Sequence, residues 1–213
     1  MRTSSRTVTV LLFDEVELLD VAAVVQVLTL AGRQWNWRPF KIATVARSAG
    51  PISTRSQLSL VAAHGFGDAP EPELLVVPGG YGARRALEDS DTVELVARTG
   101  ERATLIAAVG YGALLVSKAG LAPSLQVAVP SDAVQLLAEV APTALAVPDA
   151  RLIDAGKLIT TSFGAGALDL GLQLVSRTLG HKQALTVAQR LGHEWHTGTA
   201  EGALHIEIVA PSK

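Results

Sequence analysis

Residues 105–120 read Leu-Ile-Ala-Ala-Val-Gly-Tyr-Gly-Ala-Leu-Leu-Val-Ser-Lys-Ala-Gly, and the architecture expected of the whole chain follows from them. Leu105–Val109 is an apolar run with the length of a buried strand, and Ala113–Ala119 has the composition of a helix. Between them Gly110, Tyr111 and Gly112 form a turn with side-chain bulk at a single position. A strand that stops abruptly and feeds a helix is where α/β proteins hold a nucleophile or bind an anion. Neither Cys nor Ser stands at this apex. The stretch shows the frame of an active site more clearly than an activity.

The composition suits such a frame. With 48% apolar and 18% charged residues over 213 positions, the chain favours a single large core over disorder. A formal net charge of -2 provides no global field for DNA, RNA or an anionic membrane, so neither nucleic acid nor membrane is expected as a partner. The chain has no cysteine, which excludes disulfides, thiolate metal sites, iron–sulfur clusters and cysteine catalysis, and fits a cytoplasmic protein. The apolar run near the N-terminus is soon interrupted by Asp14, Glu15 and Glu17, unlike a signal peptide. No apolar stretch is long enough to span a bilayer.

Upstream of the turn, Glu73–Val77 reads as a strong strand that ends at Pro78-Gly79-Gly80-Tyr81-Gly82. Successive glycines after a strand let backbone amides approach a ligand without obstruction. Arg84 and Arg85 precede or begin a short helix, where Arg84 can meet an anionic ligand or a salt-bridge partner. Thr92–Thr99 reads as the next helix. Further back, Thr7–Phe13 is expected as the first, central strand, followed by a turn and a helix from Val21 to Leu28 that closes near Gly32. Asp20 is placed to cap that helix, and it also sits where the carboxyl end of a first strand faces the usual α/β crevice. Phe40–Ala46 reads as a second strand after a loop bearing Trp35 and Trp37, which suit packing or an oligomer surface. Ile52–Val61 suggests two short strands about Arg55-Ser56.

Downstream, Leu125–Val129 reads as a strand or extended loop. Ser131 or Asp132 can cap a helix over Ala133–Val140. Ala144–Val147, Arg151–Ile153 and Lys157–Thr161 read as strands, the last two turning about Asp154-Ala155-Gly156. Gly166–Leu179 and Lys182–Leu191 read as helices. Asp169 is unusual in so apolar a helix and is expected to hydrogen-bond buried backbone or hydroxyl groups. Residues 192–213 form an extension in which HIEIVA reads as an extra strand. The five histidines are dispersed; His193, Glu194 and His196 share a segment without establishing a metal site. Neither glycine turn matches a phosphate loop or a dinucleotide fingerprint, so no cofactor is expected.

Taken in order, these motifs resemble the DJ-1/PfpI family of the class I glutamine-amidotransferase-like superfamily. The resemblance is strongest at Leu11-Leu12-Phe13 with Leu18-Leu19-Asp20, at Val77-Pro78-Gly79-Gly80 and at Val109–Leu114, with support from Leu158–Thr161 and Ala167–Leu170. It looks closest to isocyanide hydratases and to the sensor domains of AraC-type regulators. It implies a single-domain, flavodoxin-like three-layer α/β sandwich with a mostly parallel sheet, and a homodimer. It also implies that Asp20 occupies the position of a carboxylate beside the elbow cysteine, that Gly79 and Gly80 belong to an oxyanion-hole-like loop, and that Gly110 stands at the elbow itself. The family pattern Val-Cys-Thr-Gly-Ala is here Val109-Gly110-Tyr111-Gly112-Ala113. Glycine can form no thioester or thioimidate, yet it suits a strained turn. The expectation is a retained fold without cysteine-dependent catalysis, binding a small carbonyl, carboxylate or amide ligand at Asp20, Gly79, Gly80, Gly110 and Tyr111. Two alternatives stand beside it. One is a noncovalent hydratase or lyase in which Asp20 acts as base, Tyr111 orients the substrate and backbone amides hold negative charge. The other is a structural or regulatory interaction protein. The chain ends without the helix-turn-helix extension of the AraC-type regulators.

Overall fold

In the computed structural model, the described residues are 5–33, 38–195 and 206–208. The loop tryptophans Trp35 and Trp37, together with His196, His205, Leu204 and Val209, lie outside them. Strands β1 (Arg6–Leu11), β2 (Phe40–Val45), β5 (Leu74–Val77), β6 (Leu105–Val109), β9 (Leu152–Ala155), β10 (Leu158–Thr161) and β11 (Ile206–Ile208) build one sheet. Its order is β11-β9-β10-β6-β5-β1-β2. Pairing is parallel from β2 through β10, antiparallel at the β9–β10 hairpin, and parallel again between β11 and β9. The first strand is therefore second from an edge, not central. The chain runs outward from β1 to β2 and returns to place β5 and β6 on the other side, leaving a switch point between the carboxyl ends of β1 and β5 where α/β sheets hold ligands.

Alternation along the strands explains the layers. In β5, Leu74 and Val76 enter one core and Leu75 and Val77 the other; in β6, Leu105, Ala107 and Val109 oppose Ile106 and Ala108. Both faces are thus buried, as a parallel sheet requires, and the strands read as continuous apolar runs. Helices α1 (Leu18–Leu30), α6 (Ala167–Leu179) and α7 (His181–Leu191) cover the first face. Helices α2 (Gly82–Glu88), α3 (Ser90–Arg102), α4 (Gly112–Lys118) and α5 (Val134–Val140) cover the second. The result is the three-layer sandwich expected. Strands β3 (Gly50–Ser53) and β4 (Ser59–Ala62) form a separate antiparallel ribbon, as the sequence suggests. Strands β7 (Gln126–Val129) and β8 (Leu145–Pro148) form a parallel one.

Two capping expectations are corrected. Helix α1 begins at Leu18 with Glu17 in the cap position, so Asp20 lies inside the first turn and turns its carboxyl group inward. Ser131–Ala133 is a short 3-10 turn ahead of α5, and neither Ser131 nor Asp132 caps that helix.

Close approach of backbones holds the switch point. A methyl group on Gly112 would stand 2.3 Å from the Val77 carbonyl oxygen, and one on Gly82 would stand 1.8 Å from that of Asp14. Neither contact is relieved by rotating a side chain. We expect Gly112→Ala to lower unfolding free energy by about 3 kcal/mol, because backbone must move in a packed core. Gly120→Ala, with a positive φ of 79° but open space around it, should cost about 1 kcal/mol. Urea denaturation of the two variants compares them directly, and equal losses would contradict this packing argument.

Candidate functional site

Three loops meet at the switch point. The β1–α1 loop supplies Glu15, Glu17 and Asp20; the β5–α2 loop supplies Gly79 and Gly80; the β6–α4 elbow supplies Gly110 and Tyr111. Backbone hydrogen bonds lace the first two together, with Glu17 N–H donating to the Gly79 carbonyl (3.1 Å) and Gly82 N–H to that of Glu15 (3.2 Å). Gly80 adopts φ 107°, and a side chain there would strike Glu17 N and Glu15 O at 2.5 and 2.6 Å. The Gly-Gly sequence is thus required by the meeting of the loops.

Asp20 is 3% exposed and accepts a hydrogen bond from the Gly79 amide at Oδ2 (2.8 Å). Its Oδ1 is buried without a partner, near the Cα of Gly164. Burial is the main reason that the carboxyl group is held far above its ordinary 3.8, at about 7; the Gly79 amide opposes the shift and the Glu17 charge adds to it.

The elbow keeps the geometry the sequence implies. Gly110 has φ 52° and donates its amide to the Thr161 carbonyl (2.8 Å), pinning the turn to β10. Among the described residues other than its two chain neighbours, the Ser162 carbonyl, at 3.4 Å, is the one group within 4 Å of the point where a side chain on Gly110 would begin. The space a nucleophile would enter is open. A side chain on Gly79 would begin 2.7 Å from the Val109 carbonyl oxygen, 3.0 Å from Asp20 Oδ2 and 3.2 Å from the Tyr111 amide nitrogen, so the carboxyl group and the elbow backbone both close on this glycine. Among the described residues, neither the Gly80 nor the Tyr111 amide donates to a backbone carbonyl.

Tyr111 joins the elbow to α2 and to the turn ahead of α5. Its hydroxyl donates to Asp132 Oδ2 (3.0 Å) and accepts from Arg84 Nη2 (2.5 Å), whose guanidinium also lies 4.8 Å from the ring centre. Asp132 belongs here through this contact, and only its reading as a helix cap drew attention to it in the sequence. Leu19, 51% exposed, and Phe163, 48% exposed, give the region an apolar rim beside Gly164.

Other residues singled out by sequence go elsewhere. Asp169 pairs with Arg151 Nε (2.5 Å) and His193 Nε2 (2.7 Å), so its partners are basic side chains and not the backbone or hydroxyl groups expected. The hydroxyls after β10 are structural: Thr160 accepts from the Ala128 amide (2.9 Å) and Ser162 donates to the Val129 carbonyl (3.0 Å), tying β7 to the sheet. Among the described residues no three His, Asp or Glu side chains gather as metal ligands would, and no helix is long and apolar enough to cross a membrane. A groove of about 390 Å³ opens beside Gly82 and Arg85, but its walls do not include Asp20, Gly79 or Gly110.

Comparison with known proteins follows this geometry. The DJ-1/PfpI family model matches residues 6–177. An isonitrile hydratase from Pseudomonas putida is 26% identical over 182 residues, covering 85% of this chain and 75% of that protein. A ThiJ/PfpI family protein from Pseudomonas syringae superposes with a TM-score of 0.80 at 22% identity, covering 95% of this chain and 81% of the other. An AraC family transcriptional regulator structure from Pseudomonas putida gives 0.73 at 20% identity, covering 87% and 99%. At these identities the two structural likenesses establish the fold.

The raised Asp20 pKa fixes a sign. The folded chain binds this proton more tightly than the unfolded chain does, so the stabilisation is fully present below about pH 4 and is lost as pH rises towards 7. The integrated effect is on the order of 4 kcal/mol at most. In Asp20→Asn that slope should disappear and stability above pH 7 should match or exceed wild type, measured by urea unfolding from pH 4 to 8. An unchanged slope in the variant would show that other groups carry the dependence.

Proposed function

Because the chain belongs to the DJ-1/PfpI family and presents glycine at its elbow, we propose that it binds a small carbonyl, carboxylate or amide compound there without forming a covalent bond to it. The observation that carries this reading is an elbow whose apex, Gly110, has no side chain and faces the Ser162 carbonyl at ordinary contact distance, with the Asp20 carboxyl group and the Tyr111 amide nitrogen both close to neighbouring Gly79. Amide donors recognise a carbonyl or carboxylate oxygen. A carboxyl group that titrates near neutrality can donate to such an oxygen when protonated and accept from an amide when ionised. The exposed Leu19 and Phe163 offer contact to an apolar end of the ligand. A homodimer and a cytoplasmic location go with this reading.

A second reading draws on the same carboxyl group. Its titration near neutrality suits general acid–base work on a bound water or substrate, with the elbow amides stabilising negative charge. Noncovalent hydration is the reaction class that this arrangement would support. A hydration rate that depends on a group titrating near pH 7 and vanishes in Asp20→Asn would establish it, and no turnover across isonitrile, carbonyl and amide substrates would rule it out.

For binding, the absence of other thiols makes Gly110→Cys a clean probe. The position has room for the side chain, and the positive φ should cost about 1 kcal/mol. A ligand at a hundredfold excess over its Kd should raise the wild-type Tm by roughly 5 °C, with no covalent adduct by mass spectrometry. Alkylating the introduced thiol with a bulky reagent should abolish the rise. Persistence of the rise after alkylation would move the binding site away from the elbow.

A further inference from the structure

The arginines around the mouth of the site are not equivalent. Arg85 is paired with Glu15 at 3.1 Å and Arg55 with the same carboxylate at 3.6 Å. Arg47 is held by Asp89 and Asp91. Arg84 differs. Among the described residues no carboxylate lies within ion-pair distance of it; its neighbours are the face and the hydroxyl group of Tyr111. Asp132 accepts from that same hydroxyl, and from beyond ion-pair distance its charge also favours the cation. The ring and the hydroxyl hold the guanidinium in one orientation while leaving donors unused, since one nitrogen contacts Tyr111 and a guanidinium carries five N–H groups. Tyr111 is also the elbow residue that follows Gly110, and its backbone nitrogen lies beside Gly79, 3.2 Å from the point where a side chain there would begin. One residue thus joins an unpaired, oriented cation to the candidate ligand space.

Resting on the elbow-binding reading above, we propose that the ligand is a small carboxylic acid, its carboxylate held by Arg84 while the carbonyl oxygen on the adjoining carbon meets the Gly80 and Tyr111 amides. A planar guanidinium fork matches a planar carboxylate, and an arginine already oriented loses less freedom on binding than a free one. Asp132 has a part in selection. It holds the Tyr111 hydroxyl, and therefore the Arg84 platform, without neutralising the cation directly. A neutral ligand of the same size would leave Arg84 unused and would keep only the elbow contacts. A short 2-oxo acid carries these two polar groups on adjoining carbons.

Matched probes separate the terms. Isothermal titration would use 2-oxopropanoate, the isosteric 2-oxopropanamide and inorganic phosphate on the full chain. Wild type should bind the acid roughly tenfold more tightly than the amide, and the excess should shrink as salt rises, because Arg84 is exposed. Arg84→Gln should erase the excess while leaving amide binding in place, and Arg85→Gln should leave the excess intact. Circular dichroism and the wild-type-like amide affinity of Arg84→Gln would show that the variant is folded. Equal binding of acid and amide by wild type, lost on alkylation of Gly110→Cys, would keep the elbow reading and overturn the carboxylate assignment. Phosphate binding as tightly as the acid would also overturn it in favour of a general oxyanion site. Binding of none of the organic probes at millimolar concentration would overturn both the assignment and the reading it rests on.

Discussion

The absence of a side chain at four positions lets the three loops meet. Gly79, Gly80, Gly82 and Gly112 each bring backbone to within a distance that a methyl group would prohibit. Everything else at the switch point depends on that approach. It carries the Gly79 amide to Asp20, lays the β1–α1 loop against the β5–α2 loop, and seats the start of α4 against the end of β5. Gly110 is a different case. Its surroundings are open, and its positive φ is the turn's own requirement. A side chain at Gly112 is excluded by packing, whereas one at Gly110 is excluded by nothing around it.

That distinction clarifies the chemistry. The elbow has its amide pinned to β10 and carries no side chain at its apex, and the buried Asp20 carboxyl group meets the adjoining glycine loop. Asp20 is left in an environment that disfavours its charge, one oxygen on an amide and the other without a donor. A carboxyl group so placed lowers the stability of the fold as it ionises, and groups perturbed in this way collect at functional sites.

Much of the architecture was legible in the sequence because it follows from local patterning. Buried parallel strands announce themselves as apolar runs such as Leu74–Val77 and Leu105–Val109, and the glycine turns after them mark where the strands stop. The position of Asp20 beside the glycine loop was legible only through the resemblance, since the two are 59 residues apart. Its mistaken assignment as a helix cap had a physical source: aspartate is a good cap, but α1 starts at Leu18 because the loop is shaped by bonds to Gly79 and Gly82 that no local pattern encodes. The clasp of Arg84, Tyr111 and Asp132 was equally hidden, because it is assembled from three separate connections. The use of Thr160 and Ser162 as anchors for β7 is likewise a tertiary matter that no local pattern encodes.

The register of the sheet also has a bearing on how the chain folds. Val8 pairs with Leu74, and the Gly110 turn is anchored by the carbonyl of Thr161. During synthesis β1 therefore waits for more than sixty further residues before its inner neighbour exists, and the elbow cannot be pinned until β10 has emerged. Such long-range parallel pairing slows folding, since loop closure must precede the contacts that reward it. Until then β1 can pair only with β2, leaving the inner edge of an apolar strand unpaired. The site is consequently among the last parts of this molecule to take shape, and the early chain has most need of protection from edge-to-edge association.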